Sequence, residues 1–299
     1  MFWIRKAAEE TKESTAYFRL YEIFSQRSEI PLALSYLRQS ADLGHTEAQY
    51  RLGIIYLRGD FGFLRDERAA TDFLKLSASK LHPESIWTLS QMAASIGQDD
   101  LRLEYQKSAA ALGHVLAMRE LGQHYLKQLT APFVSALVQQ TSLDEALRYL
   151  HMAADLDDAE SLILLGKTYA NCTKTLLKFS NLQNTLPTPT DTHSFSDDEE
   201  IDPRWQSEED EKTLAIQCFE RASALGNLEA TVYAAEAWHE QKQYAAALDY
   251  FQKAAAQGHV LARFFCARYC IEGFGGIPVD HEKGFKVSFY PLSSLLYSF

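Results

Sequence analysis

Two apolar patterns alternate along most of the chain. The first reads small residue, Leu-Gly, aromatic: Ala48, Leu52-Gly53, Tyr56; Ala117, Leu121-Gly122, Tyr125; Ser161, Leu165-Gly166, Tyr169. Looser copies run Ala16, Leu20, Phe24; Ser85, Leu89-Ser90, Ala93; Ala230, Ala234-Ala235, Trp238; and Ala262, Cys266-Ala267, Cys270. The second pattern ends in a small pair, as in Ala33 to Ser40-Ala41, Ala70 to Ser77-Ala78, Tyr105 to Ala109-Ala110, Ala146 to Ala153-Ala154, Ala215 to Ala222, and Ala247 to Ala254-Ala255. Both patterns place apolar side chains three and four apart, on one face of a helix. The spacing therefore predicts helix pairs, an A helix with the first pattern and a B helix with the second. One pair cannot bury its own apolar face, so successive pairs must stack. The expected fold is all-α, a right-handed α/α solenoid of about six to seven antiparallel helix pairs.

A marker residue stands between each B helix and the next A helix: Gly44, Gly113, Gly226 and Gly258, with Leu81 and Asp157 where the glycine is lost. Such a position ends a helix with a left-handed residue. Leu81 to Gly113 and Gly226 to Gly258 are 32 residues, but Gly113 to Asp157 is 44 and Asp157 to Gly226 is 69. The first excess is expected to hold a short additional helix begun at Thr130-Ala131-Pro132. A capping box at Ser142-Leu143-Asp144-Glu145 would then open the next B helix. The second excess is an insertion. Leu186-Pro187-Thr188-Pro189-Thr190 resists helix, and Ser194 to Asp202 is short of core residues. The layout expected is solenoid over 1–170, a disordered acidic loop over 171–206, solenoid again over 207–286, and an apolar tail at 287–299. Ser207 would cap the helix that follows the loop. Trp3 to Ala8 reads as the second half of a B helix. The tail lacks the polar face of a capping repeat; it either folds back on the last pair or marks a fragment or an altered gene product.

The residues resemble the Sel-one-like repeat (SLR) family, a relative of the tetratricopeptide repeats. Its pattern of Ala, Leu-Gly, Tyr, Gly, Asp and then Ala, an aromatic pair, Lys-Ala-Ala and Gly is matched by Ala48, Leu52, Gly53, Tyr56, Gly59, Gly62 and Asp66, and by Ala247, Tyr250, Phe251, Lys253, Ala254, Ala255 and Gly258. Ala262, Gly273, Gly276 and Asp280 fit as well. The long link from Gly59 to Asp66 favours SLR over a plain tetratricopeptide protein.

Charge changes the picture less than its size suggests. Lys and Arg number 29 against 40 Asp and Glu, a net charge of −11. From Asp191 to Glu211 there are ten acids and one Arg, which is −9, so the rest of the chain carries only −2. Such a chain lacks the clustered cations that nucleic acid requires. Ser196-Asp197-Asp198-Glu199 has the form an acidophilic kinase accepts, though a solvated loop explains the same residues. No apolar run approaches the ~20 residues of a membrane span, so direct membrane insertion is not expected. Met1 to Glu10 lacks the apolar centre of a signal peptide. The four cysteines form no CxxC pair. A reduced, cytoplasmic location follows as the expectation, and the Asn171-Cys172-Thr173 sequon carries little weight there.

Candidate chemistry is sparse. His45, His82, His114 and His259 each follow a marker and so belong to different pairs, too far apart to share one ion. His239-Glu240 and His281-Glu282 lack the second His of HExxH. Cys266 and Cys270 replace the Leu and Tyr of the A pattern and read as core. Phe274-Gly275-Gly276-Ile277 lacks the Lys-Ser/Thr ending of a phosphate loop. No cofactor, metal or catalytic set is expected.

What remains is a surface. In tetratricopeptide relatives the A helices line a concave groove, and the resemblance implies that residues two before and two after each Leu position face it. Phe18, Glu22, Tyr50, Trp87, Gln91, Arg119 and Gln123 are the groove candidates. Aromatics and Arg anchor interfaces, although the aromatics could equally pack between layers. The expected function is a non-catalytic scaffold or adaptor that binds another protein or a peptide there. The alternatives are a hydrolase acting on cell-wall material, as was once proposed for some relatives, and a regulatory subunit whose acidic loop docks a basic partner.

Overall fold

A computed structural model describes residues 12–129, 135–183, 208–274 and 278–285 other than 283, together with Lys6 and Glu10. Thirteen α-helices and no strand occur among the described residues. They are α1 (Ser14–Gln26), α2 (Ile30–Asp42), α3 (Thr46–Arg58), α4 (Glu67–Ala78), α5 (Pro83–Ser95), α6 (Asp99–Ala111), α7 (Val115–Leu129), α8 (Ala136–Ala154), α9 (Ala159–Gln183), α10 (Glu208–Ala224), α11 (Leu228–Glu240), α12 (Tyr244–Ala256) and α13 (Val260–Glu272). Odd numbers are A helices and even numbers B helices, packed in sequence order as an α-solenoid demands. The chain divides into two compact units, one up to Leu121 and one from Gly122.

The helix interiors show why small residues recur. In the first unit, a Cβ built on Gly53 of α3 would lie 2.9 Å from Leu74 Cγ of α4. In the second unit, a Cβ on Gly122 of α7 would lie 2.6 Å from Leu150 Cγ of α8, and one on Gly166 of α9 2.5 Å from Phe219 Cε1 of α10. The glycine of the Leu-Gly pair on α3, α7 and α9 is thus the seat for a large B-helix side chain, and those side chains (Leu74, Leu150, Phe219) are buried. The pair α9/α10 forms although the insertion separates the two helices in sequence, because the entropy of closing a connection grows only slowly with its length.

The B-to-A junction has one construction throughout. Gly44, Gly113, Gly226 and Gly258 have φ between 87° and 92°, and Leu81 and Asp157 keep the same left-handed turn at 60° and 58°. A Cβ on Gly113, Gly226 or Gly258 would meet nothing within 4 Å, so these glycines are there for backbone conformation and not for space. The small pairs supply the acceptors: Gly44 N–H donates to Ala41 O and His45 N–H to Ser40 O, at 2.9 and 3.0 Å. The same two bonds recur at Gly113/His114, Asp157/Asp158, Gly226/Asn227 and Gly258/His259. Leu81 is 67% exposed and gains nothing from its side chain in return for the strained φ. Leu81→Gly is expected to stabilise the first unit by about 0.5–1 kcal/mol, read as a higher urea midpoint; an unchanged or lower midpoint would contradict the junction's role.

The long A-to-B link is also specific. Gly59 and Gly273 end α3 and α13 in the left-handed region, at φ 75° and 76°. Downstream, Asp66 N–H donates to Tyr56 O and Asp280 N–H to Cys270 O, each 2.9 Å. The Asp66 carboxylate then caps α4 by accepting from Arg68 and Ala69 N–H.

Two expectations change. The B helix α8 starts at Ala136, with Ser135 as its cap, and not at Ser142. No Gly or Pro interrupts 135–154, and the buried Ser142 hydroxyl donates to Gln128 Oε1 of α7 at 3.1 Å instead of capping a helix. The excess length therefore extends α8 by two turns; Thr130-Ala131-Pro132 lies outside the described residues. Likewise α9 continues to Gln183, past the expected start of the loop at Asn171, since the first helix breaker downstream is Pro187. Asn171 itself is helical, its amide donating to Lys167 O at 2.9 Å. The segment 184–207 with Ser207, the start of the chain at Trp3, and the tail 287–299 lie outside the described residues.

Candidate functional site

Each A helix after the first begins with a side-chain cap at the residue following the marker. His45 Nδ1 accepts from Ala48 N–H at 3.2 Å, His82 Nδ1 from Ser85 N–H at 3.3 Å, His114 Nδ1 from Ala117 N–H at 3.2 Å and His259 Nδ1 from Ala262 N–H at 3.3 Å. Asn227 and Asp158 occupy the same place with oxygen acceptors, to Ala230 and Ser161 N–H. The four histidines are therefore interchangeable with Asn and Asp as acceptors for an otherwise unpaired helix N–H. Burial lowers the pKa of His45 and His114 below 6.5, keeping Nδ1 available as an acceptor.

In the first unit, three groove candidates meet these caps. Phe18 stacks on His45 with ring centroids 4.4 Å apart, Trp87 on His114 at 5.0 Å, and Tyr50 lies tilted against His82 at 4.9 Å. Each aromatic on an A helix thus contacts the cap of the next A helix. Tyr50 and Trp87 stay half-buried, with the rest of each ring available at the surface. Phe18 is only 8% exposed, and the guanidinium of Arg51 lies 5.1 Å from its ring centre. At that place the surface is Arg51 more than Phe18. Glu22 and Gln91 are exposed, and Arg119 is half-buried. Gln123 falls in the second unit, also half-buried. The histidines were not among the residues expected to act at this face. Their constant offset of 27 or 32 residues after each aromatic carried the signal.

A polar relay runs beside Tyr50. Arg51 Nε pairs with Glu47 Oε1 at 2.6 Å, Glu47 Oε2 meets His82 Nε2 at 3.1 Å, and Glu84 Oε2 lies 3.4 Å from the same nitrogen. The His82 contact holds the Glu47 carboxyl below its usual range, and Arg51 adds to it. His82 Nδ1 lies 2.9 Å from Ser85 Oγ, so a carboxylate, an imidazole and a hydroxyl are in line. As a nucleophile Ser85 is poorly placed. It is fully buried, its hydroxyl donates to Ser77 Oγ at 2.8 Å, and Ser77 in turn donates to Thr46 O. The relay ties α3, α4 and α5 together and exposes no attacking atom to a substrate.

Among the described residues no group of three or more His, Cys, Asp or Glu could hold a metal ion. Cys266 and Cys270 are fully buried on α13, and burial pushes the Cys266 thiol up to about 12, far from a reactive thiolate. No helix among the described residues is long and apolar enough to cross a membrane.

The Sel1 repeat pattern matches residues 16–45, 46–80, 115–158, 208–227, 240–259 and 260–286, more than half of the chain. A search of curated proteins gave no match. Among solved structures, the Sel1 repeat protein of Oxalobacter formigenes aligns at 18% identity and a TM-score of 0.54, over 98% of this chain and 78% of that one. The c5321 antigen of uropathogenic Escherichia coli, described as displaying an SLR fold, aligns at 16% identity and a TM-score of 0.40, over 96% and 70%. The first likeness agrees with the all-α stacking described above. With six repeat matches, the left-handed markers and the Gly-to-Asp links in place, the chain belongs to the Sel1 repeat family.

Proposed function

We propose that the protein is a non-catalytic interaction scaffold whose A-helix face binds a peptide or another protein. The observation that carries this is the row on the first unit. Tyr50 and Trp87 are held by His82 and His114 with part of each ring at the surface, and Glu22, Gln91 and Arg119 occupy the positions two before or two after the Leu position of their own A helices. Rings locked by packing lose little entropy on binding, which suits them as anchors. Sel1 repeat proteins generally act as protein-interaction scaffolds, and the family resemblance supports the same role here. A cell-wall hydrolase would need an accessible nucleophile or base, and the buried Ser85 relay supplies neither.

The test is site-directed photocrosslinking in cells. A benzophenone side chain at Glu22 or Gln91, on the A face, is expected to capture a discrete partner. The same group at Lys75 or Glu104, exposed on B helices, is expected to capture little. Tyr50→Ala with Trp87→Ala should weaken the A-face crosslink by at least about tenfold, or roughly 1.4 kcal/mol, with the helical circular dichroism retained. Crosslinks arising only from the B-helix positions would refute the reading.

A further inference from the structure

In the first unit one A-face ring is covered by a cation and its counterpart is not. Phe18, His45 and Arg51 recur 69 residues later as Trp87, His114 and Glu120. In the first set His45 stacks on Phe18 at 4.4 Å, and the Arg51 guanidinium lies 5.1 Å from the ring centre while pairing with Glu47 at 2.6 Å. In the second set His114 stacks on Trp87 at 5.0 Å, but Glu120 stands in the place of Arg51. Among the described residues no cation lies over the indole, which stays half-buried where Phe18 is covered. Glu120 is held from below. Gln106 of α6 is fully buried and donates to Glu120 Oε2 at 2.8 Å, and the exposed Gln91 reaches the same oxygen at 3.5 Å. Gln91 is one turn after Trp87, so carboxylate and indole lie against the same face of α5. The neighbouring charges are engaged elsewhere: Arg102 bonds to Gln106 Oε1 and pairs with Asp99, and Glu84 lies 3.4 Å from His82 Nε2. Among the described residues Glu120 has no ion-pair partner, and its Oε1 accepts no hydrogen bond.

We propose that Trp87 and Glu120 together hold one arginine side chain of a partner peptide, its guanidinium over the indole and paired with Glu120 Oε1. The proposal rests on the A face being the binding face and specifies what the first unit takes there. The chain carries its own example of the arrangement, since Arg51 covers Phe18 and pairs with Glu47. An indole face attracts a cation more strongly than a phenyl face does. A carboxylate already fixed by the buried Gln106 supplies the counter-charge with little further ordering. Gln106 and Gln91 are neutral, so their bonds leave the charge of Glu120 to the partner. A planar guanidinium can stack and pair at once, whereas an ammonium is a compact point charge. An acidic side chain would gain neither contact and would be repelled. The chain's acidic segment, Asp191 to Glu211 with ten acids to one Arg, also attracts basic peptides, so the signal has to come from Trp87 itself.

The experiment follows the indole N–H resonance of Trp87 by NMR in the isotope-labelled full chain, assigned by its loss in Trp87→Phe. The probes are acetyl-Gly-Arg-Gly-amide and its citrulline counterpart, which keeps the shape of arginine without the charge. The arginine peptide is expected to shift the resonance saturably, with a Kd on the order of 1–10 mM for a single side chain, and the citrulline peptide to bind at least about tenfold more weakly. Glu120→Gln keeps an acceptor for Gln106 and should weaken the arginine peptide about fivefold. Glu120→Arg puts a guanidinium where Arg51 stands in the first set and should abolish binding. That change leaves Gln106 without its acceptor, so Glu120→Gln provides the reading that does not depend on the core. The Trp238 indole N–H is bonded to Glu220 at 3.0 Å and should not move. Equal shifts from the citrulline peptide, indifference to Glu120→Gln, or no saturable shift up to about 50 mM peptide overturns the proposal. Crosslinks from Glu22 with a failed titration remove this inference alone, and crosslinks only from the B-helix positions remove the reading beneath it.

Discussion

Gly166→Ala is expected to cost the second unit about 2–3 kcal/mol, although the same exchange in an ordinary helix would gain nearly 1 kcal/mol of propensity. The added methyl would stand 2.5, 2.7 and 2.8 Å from three carbons on one edge of the Phe219 ring. Real Cβ atoms do not approach that closely, so either the ring or α10 must move. The ring has no room, since Phe219 is 4% exposed inside a cluster with Leu165, Tyr169, Ala222 and Ala230. Gly53 should tolerate Ala better, because its contacts are longer, 2.9 Å to Leu74 Cγ and 3.1 Å to Leu74 Cδ2, and an aliphatic side chain has more ways to shift than a ring. Repeat proteins need not unfold as one unit, so the measurement is hydrogen exchange by segment. Exchange should rise in α9 and α10 and stay unchanged in α2 and α3. Phe219→Leu added to Gly166→Ala removes the ring edge and should recover at least about 1 kcal/mol by double-mutant cycle. Strictly additive losses would show that the glycine is not a seat for the ring.

The same positions show how much of the fold is legible in the amino-acid pattern. The A and B patterns locate the pairs because each apolar residue repeats a role in a stack whose neighbours are chemically alike. Register even identifies Leu81 and Asp157 as left-handed, where the residue type argues against it. Helix ends are less legible. Ser135 and Ser142 are equally good caps by type, and only the acceptor offered by Gln128 from α7 decides which one starts α8. The loop boundary at Asn171 fails for a related reason: a drop in repeat periodicity is not a helix breaker, and α9 runs on to Gln183. The surface is the least legible. Phe18, Tyr50 and Trp87 look alike as helix positions. What differs is how each is covered, and the covering group arrives from a residue 27 or 32 positions later, or from Arg51 beside it.

That covering group makes the first unit sensitive to acid in a direction the caps determine. The His45 and His114 rings accept a backbone N–H at Nδ1, and burial lowers both pKa values below 6.5. Protonation removes the acceptor. An imidazolium over Phe18 or Trp87 would recover about 0.5–1 kcal/mol of cation–π attraction at an exposed site, but it forfeits the cap and part of its hydration, and burial lowers the pKa at both sites. Around His45, Glu22 and Glu47 favour the proton while Lys80 and Arg51 oppose it; around His114, Glu84 favours it. Burial outweighs these in both cases. With folded values below the unfolded 6.5, the unfolded chain binds more protons in that interval, and stability rises with pH. The contribution is complete above pH 6.5 and is lost as pH falls through 6.5 to the folded values. Both sites remain partly solvated, which screens the charge terms. The expected loss is that of the two caps, about 1 kcal/mol each, once pH has fallen through both folded values. His45→Asn with His114→Asn keeps the caps, as Asn227 does on α11, and gives up the ring stacking at about 0.5–1.5 kcal/mol per site. The variant should therefore start less stable at neutral pH and lose less on acidification, the gap to the parent narrowing as pH falls below 6.5. Urea unfolding of both proteins across that range reads the outcome, and parallel curves would show that neither ring titrates against the fold.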